Sequence, residues 1–124
     1  IEVSYSAAAL DYRRSMQSLL RGYKQLRGDL DRYIEYAKSH GWVIDSAHTI
    51  SFENAYSSRQ NIYQATISLS PPPEYQVRHQ RALACLERGI AAMDALKGGN
   101  YQIFHELSDE NTPALASIMN DYGL

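Results

Sequence analysis

Residues 5–37, YSAAALDYRRSMQSLLRGYKQLRGDLDRYIEYA, place Tyr5, Ala9, Tyr12, Met16, Leu19, Tyr23, Leu26, Leu30, Tyr33 and Ala37 at alternating steps of four and three. That spacing is the seam of a long amphipathic helix with an apolar or aromatic side chain at every a and d position. At about 1.5 Å per residue such a helix is roughly 50 Å long. It cannot bury the stripe by itself, so the rest of the chain must supply helices to cover it. Ser4 or Ser6 can cap its start through a hydroxyl, and Gly41 supplies the left-handed residue that ends it near His40. Gly22 and Gly28 each cost about 1 kcal/mol relative to Ala inside a helix. Their nearness to the seam predicts close approach of another backbone or mild bending. The cations Arg13, Arg14, Arg21, Lys24 and Arg27 lie off the seam and form a solvated face, with Arg27 and Asp31 spaced as an i, i+4 ion pair.

The remaining segments read as three shorter helices. Residues 41–49 have no clear period and form a connection in which Trp42, Val43 and Ile44 cap one end of the core. A helix over about 50–69 follows from Phe52, Ala55, Tyr56, Ile62, Tyr63, Thr66 and Leu69, with Thr49 or Ser51 at its start. Ser70-Pro71-Pro72-Pro73 stops it, because prolines lack the amide donor that a helix interior needs. Pro73 suits the first turn of the next helix, 73–97, whose face carries Tyr75, His79, Ala82, Leu83, Leu86, Ile90, Met93 and Leu96. Gly98-Gly99 ends that helix and Asn100 caps the last one, 100–122, on which Tyr101, Phe104, Leu107, Leu115, Ile118, Met119 and Tyr122 share a face. Pro113, preceded by Thr112 as a fresh cap, predicts a kink or break between residues 109 and 113. The expected fold is an all-α, antiparallel up-down-up-down four-helix bundle, a single domain over residues 1–124, with a long first helix and a kinked or broken fourth.

Composition narrows the function. The 124 residues carry 44% hydrophobic and 21% charged side chains, ordinary for a folded soluble domain. The formal net charge of −2 gives no basic footprint for nucleic acid. No stretch has the length of a transmembrane helix. Cys85 is the sole cysteine, so no internal disulfide forms, and its helical apolar setting makes it a small buried hydrophobe. Ten tyrosines against two phenylalanines and one tryptophan suit a bundle margin, since the ring is apolar and its tip polar.

The motifs of known chemistries are missing. A di-metal carboxylate bundle needs Glu-x-x-His pairs. The residues three on from Glu2, Glu35, Glu53, Glu74, Glu87, Glu106 and Glu110 are Tyr5, Lys38, Tyr56, Val77, Ile90, Asp109 and Pro113. Without C-x-x-C-H there is no covalent haem attachment, and Gly98-Gly99-Asn100 lacks the lysine of a phosphate loop. Ala47-His48-Thr49-Ile50 is similar to the acceptor step of histidine phosphotransfer bundles, but Ser51 and Phe52 stand where that step carries Lys and Gly. The sequence therefore predicts no catalytic residues, no metal ligands and no cofactor.

The run SPPPEYQVRHQRALACL at 70–86, followed by GGNY at 98–101, resembles a family of short bacterial extracytoplasmic lipoproteins. In that family a P-P-x-E/x-Y-x-x-x-H-x-x-L step opens the third helix of a helical bundle and G-x-Y opens the fourth. The resemblance covers about residues 50–122 and is carried by Pro72, Pro73, Tyr75, His79, Leu83 and Tyr101. It implies secretion, tethering through a lost N-terminal lipid-bearing cysteine and no assigned activity. The expected function is then a non-enzymatic, extracytoplasmic interaction or ligand-binding module with a protein or small-molecule partner. Its expected working surface is a partly open tyrosine margin at Tyr12, Tyr23, Tyr33 and Tyr75, with His79 nearby. Two further readings stay open: a phosphotransfer bundle using His48, and a sensor that holds a small molecule or haem at His79. The seam over 5–37 also allows a homodimer.

Overall fold

The long amphipathic stretch forms one helix, α1 (Ala7–Ser39), in a computed structural model that describes the backbone of residues 7–41 and 46–124. Side chains are described over the same residues except 30, 31, 33, 37 and 46–51. Three more helices follow, α2 (Ser46–Ser68), α3 (Gln76–Lys97) and α4 (Tyr101–Asp121), with a 3₁₀ turn at Pro73–Tyr75 that opens α3. No strand occurs among the described residues, and the protein is an all-α helical bundle.

The stripe that α1 buries is not quite the heptad seam. Ala9, Tyr12, Met16 and Tyr23 are buried, as the spacing predicts, but so are Leu20 and Ile34. The seam residues Leu19 and Leu26 are only half-buried. A straight helix turns once per 3.6 residues, so a stripe read at 3.5 drifts by about 20° per heptad. Successive d positions such as Leu19 and Leu26 therefore rotate toward the edge of the buried face, while Leu20 and Ile34 lie nearer its centre. The side chains of Tyr33 and of Asp31, the partner expected for Arg27, are undescribed, and Ser4, Ser6, Tyr5 and the Trp42–Ile44 cap lie outside the described residues.

Helix ends follow local chemistry. Gly41 has φ +64° and Gly99 φ +77°, left-handed values that close α1 and α3. The Asn100 side chain accepts from the amide of Ile103 at 3.2 Å, capping α4. Helix α2 begins at Ser46, a turn earlier than the apolar pattern predicts. No Gly or Pro stands between Ser46 and Phe52, so the backbone ladder extends ahead of the first buried side chain described. His48 thus lies in the first turn of α2, its side chain undescribed. The break expected at Pro113 is absent, and α4 runs through it without interruption. Pro113 sits on the exposed face, where the Asp109 carbonyl it leaves without a helical donor is open to water. Thr112, read from sequence as a fresh cap, instead donates its hydroxyl to the Ser108 carbonyl at 3.0 Å.

Two apolar clusters form the core. One gathers α1, α3 and α4 around Met16, Leu20, Leu86 and Ile118; the other joins Ile34, Phe52, Met93, Leu96 and Phe104. Polar residues lie between them. Asn111, 2% exposed, donates to the Cys85 carbonyl at 3.1 Å and accepts from Arg88 at 3.3 Å. The buried Arg59 guanidinium lies 5.7 Å from the Tyr23 ring centre and donates to the Ala55 carbonyl at 3.3 Å. In the cross-helix bonds of α2 with α3 and of α3 with α4, residue numbers run in opposite directions. Tyr56 reaches Asp94 and Tyr63 reaches Glu87 between α2 and α3; Arg81 reaches Asp121 and Arg88 reaches Asn111 between α3 and α4.

The close approach expected at Gly22 and Gly28 occurs instead at Gly89. A Cβ on Gly28 would meet nothing within 4 Å, and one on Gly22 only the end of the Ile62 side chain. A Cβ on Gly89 would overlap the Tyr23 hydroxyl. Gly28→Ala is therefore expected to stabilise the fold by about 1 kcal/mol, the ordinary helix-propensity gain. Gly89→Ala should destabilise it despite the same gain, and should recover in a Tyr23→Phe background. Urea denaturation of the four variants checks both signs.

Candidate functional site

Tyr12, Tyr75, His79 and Tyr122 converge where the start of α1, the start of α3 and the end of α4 meet. Each arrives by local structure: Tyr12 from the α1 stripe, Tyr75 from the proline-led 3₁₀ turn, His79 one turn into α3, and Tyr122 as the residue that closes α4. The Tyr12 hydroxyl lies 2.7 Å from His79 Nδ1 and 2.7 Å from the Tyr122 hydroxyl. With the imidazole proton on Nε2, Tyr122 donates to Tyr12 and Tyr12 donates to His79. The Tyr75 and Tyr122 rings stack at 5.5 Å and 10°, while Tyr12 tilts against Tyr75 at 5.3 Å. The Arg78 guanidinium covers the Tyr75 ring at 5.0 Å.

Burial sets the proton chemistry here. It raises Tyr12 far above the ordinary phenol value, reinforced by the bond to Tyr122, and it raises Tyr122 as well. It lowers His79 below its ordinary 6.5, because a charged ring loses its hydration. Cys85 is 1% exposed, and its burial raises the thiol for the same reason, as for a small buried hydrophobe.

This geometry corrects the expected tyrosine surface. Tyr12, Tyr23 and Tyr75 are 5%, 1% and 1% exposed, so they form core contacts and no open margin. Their ring area is worth more inside a narrow bundle, where each hydroxyl still finds a partner. The structure does bring Tyr12, Tyr75 and His79 together, but it leaves Tyr23 in the middle layer with Arg59. The first half of the α1 seam is likewise covered within the chain, so a homodimer through that half would have to compete with the core.

An accessible concavity lies elsewhere. Beside the core they share at Met16, Leu20 and Ile118, α1 and α4 are joined by long polar side chains. Arg13 and Gln17 donate to the Tyr122 carbonyl at 3.4 and 2.7 Å, and Arg27 donates to the Thr112 hydroxyl at 2.8 Å. Between the two helices runs an open groove of about 950 Å³. Ile34, Phe104, Leu115 and Met119 line its floor; Lys24, Arg27, Gly28, Glu35 and Lys38 form the α1 wall, and His105, Ser108, Asp109, Thr112 and Ala116 the α4 wall. It continues past Met119 and Leu124 to Arg21 and Gln25. His79 lines neither part.

Ser108, His105 and Asp109 share the α4 wall, yet among the described residues no hydrogen bond joins His105 to the other two. Among the described residues no group of three or more His, Cys, Asp or Glu could hold a metal ion, and no helix is long and apolar enough to cross a membrane. Comparison with protein-family models, curated proteins and solved structures finds no match to this chain.

The sequence reading missed the groove, and no periodicity announces it, because a groove is a contact that two helices fail to make. The nearest signal is the small-residue run Ser108, Thr112, Ala116 at steps of four on α4.

Two predictions test the tyrosine–histidine cluster. Tyr12→Phe deprives His79 and Tyr122 of a buried partner and should cost about 2 kcal/mol, read by urea denaturation. Because the folded pKa of His79 is depressed, its contribution is complete above pH 6.5 and is lost as the pH falls through the lower folded value. Melting temperature should therefore fall more steeply with acidification in the native chain than in His79→Gln.

Proposed function

We propose that this chain is a non-enzymatic ligand-binding module whose site is the groove between α1 and α4. One observation carries the reading: an apolar-floored concavity of about 950 Å³, at the upper end of the roughly 300–1,000 Å³ typical of small-molecule sites. The floor side chains Ile34, Phe104 and Leu115 are fixed by the core, each under 8% exposed, so the site is preformed and a ligand does not have to order them. The tyrosines that the composition brings forward act from behind, holding the helix ends that frame the groove. The lipoprotein resemblance supports an extracytoplasmic setting for such a module.

Nile red, a neutral dye whose emission rises in apolar surroundings, tests this. Saturable binding to the native chain is expected, and Ala116→Trp should abolish it by filling the groove from its exposed α4 wall. Equal dye binding by Ala116→Trp, or no saturable binding at all, would overturn the reading.

A further inference from the structure

Resting on the groove as the binding site, we propose that its occupant is a long-chain carboxylate, with the headgroup at Arg21 and Lys24. Charge is distributed unevenly along the groove. At one end Lys38 is paired with Glu35 at 3.7 Å. In the middle Arg27 is engaged with Thr112. Asp109 lies on the Lys38 side of that contact, since α4 numbers fall as α1 numbers rise. On the other side the walls carry Arg21 and Lys24 with no acidic side chain among the described lining residues. Neither cation makes an ion pair among the described residues. An apolar floor that ends in two exposed cations is complementary to one negative charge on an apolar tail.

The length agrees with a single alkyl chain. From Arg21 to Lys38 α1 advances about 25 Å. A C16–C18 acyl chain spans one leaflet, half of the roughly 30 Å hydrocarbon core of a bilayer, so it fits with room for its headgroup. A partner helix about 10–12 Å across would have to displace the Arg27–Thr112 contact that bridges the walls.

The test is displacement of Nile red, and calorimetry, with laurate and palmitate below their micelle concentrations. Butyrate, dodecyltrimethylammonium and an acidic amphipathic peptide serve as comparators. Laurate and palmitate should bind with one-to-one stoichiometry and displace the dye, while butyrate and the cation should not. Arg21→Gln combined with Lys24→Gln should weaken laurate by about tenfold, as for two exposed ion pairs, and should weaken the neutral dye less than it weakens laurate. Displacement by the cationic amphiphile as good as by laurate, or laurate affinity unmoved in the double variant, would overturn the carboxylate. So would displacement by the peptide alone. In each of those cases dye binding that Ala116→Trp abolishes would keep the groove reading standing. If neither dye nor laurate responds to Ala116→Trp, both fall together.

Discussion

The Tyr12 hydroxyl, 2.7 Å from both His79 and Tyr122, is the constraint on which the arrangement of the helices depends. Apolar side chains pack in more than one register, and a helix can slide by a turn at modest cost when only methyl groups face its neighbours. A buried hydroxyl that needs two polar partners has far fewer acceptable positions. It requires the start of α1, the start of α3 and the end of α4 to arrive together. The Tyr75 ring, delivered by the proline-led turn, closes the remaining side by stacking on Tyr122. Arg13 and Gln17 hold the Tyr122 carbonyl, so ring and backbone of that residue are both tied to α1.

Commitment of α4 to α3 then determines what α1 can do. Gly89 removes a side chain where the Tyr23 hydroxyl passes, and Asn111 bonds the Cys85 carbonyl directly. With α4 drawn against α3, α1 meets α4 through the core around Met16, Leu20 and Ile118 and, beside it, through the long arms of Arg13, Gln17 and Arg27. The groove runs on either side of the Arg27 arm. Its floor is the outer edge of the two apolar clusters, so the concavity and the core share residues such as Phe104 and Leu115.

Helix number and most helix ends were legible in the sequence because they rest on strong local chemistry: consecutive prolines at 71–73, glycines at 98–99, and an asparagine at 100 that caps as its side chain predicts. The burial of Ala9, Tyr12, Met16 and Tyr23 was legible from spacing, and the shift to Leu20 and Ile34 is the known mismatch between 3.5 and 3.6. Residues decided by tertiary partners were not legible. Arg59 and Asn111 are polar types that a periodic pattern assigns to solvent, and each is 2% exposed. Pro113 has a strong local signature that exposure to water overrode. Tyrosine abundance pointed to a surface, but nothing in one sequence tells a ring that finishes a core from a ring that faces a ligand.

The Tyr12–Tyr122 bond joins positions 110 residues apart, which bears on how the chain is made. During synthesis at about 5–20 residues per second, α1 emerges many seconds before its partners at the end of α4 exist. Its apolar stripe spends that interval without the contacts that cover it in the finished fold. The neighbouring Arg13, Arg14, Arg21, Lys24 and Arg27 give the nascent helix a charged back that opposes pairing between ribosome-bound copies. Arg21 and Lys24, which line the groove in the folded protein, are among the cations that can keep the half-made chain apart from its neighbours.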